Sequence, residues 1–247
     1  MENFDAENFN AENFNVEDFQ IGEKKMHPFC DDFIQQIQDE NKEKAFFYIM
    51  DKLKKGEVGV VELYSQILAP TLNQIIYRYE EQALRIWEEH VYTGIILTIM
   101  ENCYPYVLKE RDKDYKKKVN KSVMIICPSK EYHILGARMA TDFFTIANFN
   151  ATFVGNDTPQ DVIVASIKKK DPDYIAISVT NPYHLVATKR TLERIHEEVD
   201  EPPKVILGGN AVHMNKVNKK NIKYDMILKT FDDIIELRKK ILEGSEN

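Results

Sequence analysis

The sequence is poor in cysteine. Cys30, Cys103 and Cys127 are odd in number and widely spaced, which excludes a disulfide framework and a zinc-ligand pattern. It has no apolar run of eighteen residues. The longest candidate, Val91 to Met100, is too short to span a bilayer, so no membrane contact is expected. The N-terminus lacks a basic segment followed by an apolar one, and the expectation is a chain without a signal peptide, held in a reducing cytoplasm. A basic surplus is also missing: 33 Lys and Arg face 40 Asp and Glu, for a net charge of −7. Direct DNA binding is therefore not expected. No general acid–base pair or activated nucleophile stands out, and no catalysis is expected of the chain itself.

What is present is a chain of 247 residues, 43% hydrophobic, long enough for one or two domains with a core. Residues 1–26 hold seven acids and two bases and repeat a Glu-Asn-Phe unit at Phe4, Phe9 and Phe14, followed by Phe19. A five-residue period fits neither helix nor strand, so a disordered acidic tail is expected, with its Phe residues available to a partner protein. Residues 27–110 show helical spacing, as in Ala45, Phe46, Ile49, Met50, Leu53 before a stop at Gly56. They predict a bundle of four or five helices. The segment 108–121 is dense in charge and lacks a core stripe. It places a solvated linker at 111–121 and a second domain at 122–247. There the pattern alternates: strands at Ser122–Cys127, Ala151–Val154, Tyr174–Ser178, Lys204–Leu207 and Met226–Leu228, with helices between and a last helix at Phe231–Leu242. That alternation predicts a doubly wound parallel α/β domain, whose ligands sit at the carboxyl ends of the strands.

Three clusters fall at those ends. His133 lies on the loop leaving the first strand, where its ring can face a ligand. Glu131, two residues earlier, is placed to bond the other ring nitrogen and set the tautomer, as metal-bound imidazoles require. Gly136 lets the backbone bend or approach a neighbour. Ser178 and Thr180 supply hydroxyls that point the same way after the third strand. Gly208 and Gly209 follow the fourth strand and leave an opening in that edge.

In this order and spacing, Glu131-x-His133-x-x-Gly136, Ser178-x-Thr180 and Gly208-Gly209 resemble the cobalamin-binding domain of methionine synthase, mutases and corrinoid proteins. The family motif is usually written with Asp where this chain has Glu131. The resemblance implies a flavodoxin-like fold and makes His133 the lower axial ligand of cobalt in a base-off, His-on cofactor. The displaced nucleotide tail would enter a slot lined by Ser178, Thr180, Gly208 and Gly209. In the helical half, Tyr79 followed by Glu89-His90 is similar to the Trp-x9-Glu-His signature of light-sensing, adenosylcobalamin-dependent MerR-type repressors. By that resemblance Tyr79, Glu89 and His90 face the upper side of the corrin. Glu80 stands where those repressors carry a cobalt-capturing His, and a counterpart of their DNA-binding domain is not expected in these residues.

The resemblance implies a stand-alone cobalamin sensor, with adenosylcobalamin as cofactor and methylcobalamin as the other form. Light or cofactor occupancy would change its homo-oligomer or protein-partner contacts. A corrinoid carrier for methyl transfer is the first alternative. A sensor of another tetrapyrrole, haem or a bilin, is the second.

Overall fold

The structure, a computed structural model, describes residues 27–76, 82–214, 217 and 222–245. The repeat tail, Tyr79 and Glu80 lie outside the described residues. At the centre of the C-terminal half is a five-stranded parallel sheet in the order β2-β1-β3-β4-β5. Its strands are β1 (Ser122–Pro128), β2 (Asn150–Thr158), β3 (Tyr174–Ser178), β4 (Lys204–Gly208) and β5 (Met226–Ile227). The chain moves from β1 to β2 on one side and then crosses to β3 on the other. The switch in direction therefore falls between β1 and β3, where a crevice opens at the carboxyl ends.

β1 is buried along nearly its whole length, as a central parallel strand is. Its side chains alternate between two cores. Val123, Ile125 and Cys127 join the layer of α6 (Leu135–Ile146) and α10 (Phe231–Leu242). Ile126 joins the layer of α7 (Gln160–Lys170) and α8 (His184–Glu198). A short α9 (Asn210–Met214) follows β4. The β1–β2 register shifts after Ile125 and again after Ile126. Such bulges re-aim the strand end, and here the end of β2 meets the loop after β1.

The N-terminal half holds α1 (Cys30–Gln38), α2 (Lys42–Lys55), α3 (Val60–Glu62), a π-helical segment (Leu63–Leu68), α4 (Ala69–Ile76) and α5 (Gln82–Asp114). Gly56 ends α2 in a left-handed conformation, with φ 71°. Cys30 Sγ donates to the Gln66 carbonyl at 3.1 Å, tying α1 to the π-helical segment. The bundle core does not stop at the bundle. It takes in Leu135, Met139 and Ile146 from α6, so the helices pack as a cap on the α/β domain. Tyr64, from the π-helical segment, donates its hydroxyl to Asp142 of α6 at 2.8 Å. Arg138 of α6 pairs with Glu101 of α5.

The charged segment is exposed at most of its positions, as its composition predicts, but it is tied to the fold at particular points. α5 continues to Asp114. Beyond it, Asn148 Nδ2 donates to the Tyr115 carbonyl at 2.6 Å, Arg238 donates to the Lys117 carbonyl at 2.6 Å, and Val119 is fully buried. Composition reports side-chain charge. It does not report that these carbonyls are captured from elsewhere in the fold.

Candidate functional site at the carboxyl edge of the sheet

The loop between β1 and α6 is held from two sides. Asp157, with φ 46° at the bulged end of β2, accepts from Lys130 N at 2.7 Å and Ser129 Oγ at 3.3 Å. Its own N–H donates to the Glu131 carbonyl at 3.2 Å. The loop thereby turns the Glu131 side chain inward, where it is 0% exposed.

Glu131 is the hub of the site. Its Oε1 accepts from His133 N at 3.2 Å and lies 2.6 Å from His133 Nδ1. Its Oε2 accepts from Thr180 N and Asn181 N, each at 2.9 Å, and lies 3.0 Å from His184 Nδ1. Burial pushes the carboxyl pKa up, but the donors from His133, Asn181, His184 and Thr180 outweigh it and hold the pKa at about 2. An ionised carboxylate only accepts, so both imidazoles present a protonated Nδ1 to it. The His133 pKa is raised, first by the bond to Glu131, against the opposing effect of burial, and further by the charges of Glu131 and Glu89.

His133 then keeps Nε2 for another partner, and nothing among the described residues hydrogen-bonds that nitrogen. Its side chain is 52% exposed. Carboxylate, oriented imidazole and free ring nitrogen form the arrangement that supports a metal-bound His. Among the described residues, no group of three or more His, Cys, Asp or Glu is arranged to hold a metal ion. Of the two imidazoles on Glu131, His133 is the exposed one and His184 is mostly buried, so the site presents a single ring nitrogen to solvent, which suits a metal that brings its remaining ligands with it.

Space beside His133 is also present. Gly136 sits in the first turn of α6, and a Cβ there would meet nothing within 4 Å. The protein's own packing does not demand glycine at 136, so its bareness leaves room open next to the loop that carries His133. Ser178 and Thr180 are half-buried while Val179 between them is buried, so the two hydroxyl residues share the open side. Ser178 lies in register with Gly208, which brings the third and fourth strand ends together.

Gly209 departs from the expected opening. It has φ 92°, and a Cβ on it would lie 2.4 Å from the Val179 carbonyl oxygen. Here the missing side chain lets two loops touch, with Ala211 N donating to Val179 O at 3.1 Å and Val179 N to Gly208 O at 2.9 Å. Gly209→Ala is therefore expected to lower stability by about 2 kcal/mol or more, measured by urea unfolding without cofactor. An unchanged midpoint would mean that the contact is not fixed.

The cap contributes Glu89 and His90 near the start of α5. Glu89 Oε2 lies 2.8 Å from His90 Nδ1, and Glu89 Oε1 accepts from Thr93 Oγ1 at 3.0 Å. His90 is exposed, and the charge of Glu89 reaches His133. Ile86, Trp87, Tyr132, Tyr183 and Met214 are large apolar side chains left exposed. Of these, Tyr132, Tyr183 and Met214 flank the three strand-end clusters in sequence. Reading the sequence missed His184 and Asp157. His184 was findable from its position, since a residue starting the helix after β3 stands at the same edge as His133. Asp157 was not, because the bulge that aims it leaves no sequence signature.

Residues 121–237 match the family model described as the B12 binding domain. No curated protein matches the chain. Among solved structures, the chain is similar to the monomethylamine corrinoid protein of Methanosarcina barkeri. The identity is 16% and the TM-score 0.69, over 85% of this chain and 96% of that one. A cobalamin-binding protein from Desulfitobacterium hafniense matches at 14% identity and TM-score 0.48, over 86% of this chain and 98% of that one. The methanol:cobalamin methyltransferase complex of Methanosarcina barkeri matches at 16% identity and TM-score 0.45, over 86% and 78%. The first of these shows that cap and sheet together form a known fold. Among the described residues no helix is long and apolar enough to cross a membrane. Through residues 121–237, the chain carries a B12-binding domain.

Proposed function

We propose that this protein is a corrinoid carrier. It binds the cofactor base-off in the crevice between the cap and the carboxyl edge of the sheet, and His133 Nε2 is the lower ligand of cobalt. The observation that carries this is the buried carboxylate of Glu131 on His133 Nδ1, which leaves the second ring nitrogen free beside the open space at Gly136. Ser178, Thr180, Gly208 and the backbone around Gly209 receive the nucleotide tail. When bound, a corrinoid would supply a cobalt centre able to take up and release an alkyl group. Glu131 holds the proton of His133 on Nδ1 and fixes the ring. The exposed side chains Trp87, Tyr132 and Tyr183 offer apolar surface to the ring system or to a partner enzyme. The whole-chain likeness to a corrinoid protein's fold supports a carrier over an isolated binding domain.

A sensor of adenosylcobalamin is the second reading. It is favoured by the Glu89–His90 pair on α5, whose charge is felt at His133. The two readings separate on light. The protein loaded with adenosylcobalamin, and separately with methylcobalamin, is run on a sizing column in darkness and after green illumination. The carrier binds both forms and keeps its mass. A change of mass on illumination that occurs only with the adenosyl form replaces the carrier by the sensor.

A further inference from the structure

Two loops meet on one carboxylate. The β1–α6 loop brings His133 N and Nδ1 to Glu131 Oε1. The β3–α8 loop brings Thr180 N, Asn181 N and His184 Nδ1 to Oε2. The second loop is also the one that carries Ser178 and Thr180. It is a tight turn: His184 N donates to the Asn181 carbonyl at 3.0 Å, and Tyr183 N to Asn181 Oδ1 at 3.0 Å. His184 opens α8 with its side chain only 17% exposed, and Thr188 Oγ1 donates to its carbonyl at 2.9 Å.

Of the three donors on Oε2, two are backbone groups fixed by the turn, and His184 is the one side chain. It closes a chain of contacts running from the loop of Ser178 and Thr180, through Glu131, to the His133 ring. A shift of the β3–α8 loop moves all three donors together. The position of Oε1 under His133 follows that movement.

We propose that His184 is a positioning residue for the lower ligand, and that it couples occupation of the slot by the corrinoid's nucleotide tail to ligation by His133. This rests on the carrier reading in two steps, that His133 binds cobalt and that the nucleotide tail enters the slot. The coupling has a chemical consequence: a corrinoid with its tail is ligated by His133 more tightly than one without it.

The test compares cobalamin with cobinamide, which lacks the nucleotide tail, in the wild type, His133→Ala, His184→Ala and His184→Asn. The amide nitrogen of asparagine reaches the place of imidazole Nδ1 and restores the donor. Each protein is grown with histidine carrying nitrogen-15, ligation by His is read from the nitrogen-15 doublet in the electron paramagnetic resonance spectrum of the Co(II) form, and the fold from thermal melting. In the wild type, His ligation is expected to be stronger with cobalamin than with cobinamide. His184→Ala is expected to weaken ligation of cobalamin about 10–100-fold and to shrink its advantage over cobinamide, while His184→Asn restores both. Wild-type ligation lost in His133→Ala but unchanged in His184→Ala overturns the coupling alone, as does a folded His184→Asn that fails to restore it. Absence of His ligation in the wild type overturns the coupling and the carrier reading together.

Discussion

Glu131→Ala is expected to lower the free energy of unfolding by about 3–5 kcal/mol even without cofactor. The loss has a specific origin. Removing the carboxylate strands the N–H groups of Thr180 and Asn181 and the Nδ1 protons of His133 and His184, all of which it receives in the fold. The pH dependence has a definite sign. The folded pKa of about 2 lies below the ordinary 4.5, so the carboxylate's contribution is fully present above about pH 4.5 and is lost as the pH falls through about 2. The shift is worth about 3 kcal/mol at neutral pH. Urea unfolding of wild type and variant should therefore differ most at pH 7 and converge towards pH 2. A constant difference across that range would assign the effect to packing rather than charge. Glu131→Gln keeps the shape but turns an N–H group towards a donor, and it should fall between the two.

His133→Ala is the reverse case: a small structural effect and a large functional one. The ring is half exposed and its only hydrogen-bond partner among the described residues is Glu131, which keeps four other donors, the backbone N–H of residue 133 among them. Stability without cofactor should fall by about 1 kcal/mol. Cobalamin affinity should fall about 10–100-fold or more, because the metal loses its protein ligand. The bound cofactor should then show a base-on or water-ligated spectrum, and added free imidazole should return the imidazole-ligated one. Equal losses of stability and of affinity would make His133 a packing residue.

Why some of this was legible in the sequence follows from its physics. The bounds of α6, β3 and α10 follow directly from the apolar pattern, because their buried residues recur at helix spacing in α6 and α10 and run unbroken through β3, which is buried on both faces. The pairing of Glu131 with His133 was legible because it is local, with two residues between strand end and ligand loop deciding it. Contacts made across the chain were not. The bulge in β2 extends that strand to Thr158 and aims Asp157 at Lys130. The Lys-rich run after α5 is fastened by Asn148 and Arg238, far away in sequence. Gly209 reads as an opening in one dimension, and only the approach of Val179 turns it into a closure. His184 belongs to the same class: nothing in its neighbourhood in sequence announces a carboxylate fifty-three positions earlier.

The most direct test loads the protein, grown with histidine carrying nitrogen-15, with Co(II) cobalamin of natural isotope content. Electron paramagnetic resonance then reads the nucleus on the lower axial position. The account predicts the doublet of nitrogen-15, changed to the triplet of nitrogen-14 when unlabelled histidine is supplied and abolished in His133→Ala. A nitrogen-14 triplet from the labelled protein would show that the cofactor's own base still holds the cobalt, and would contradict it.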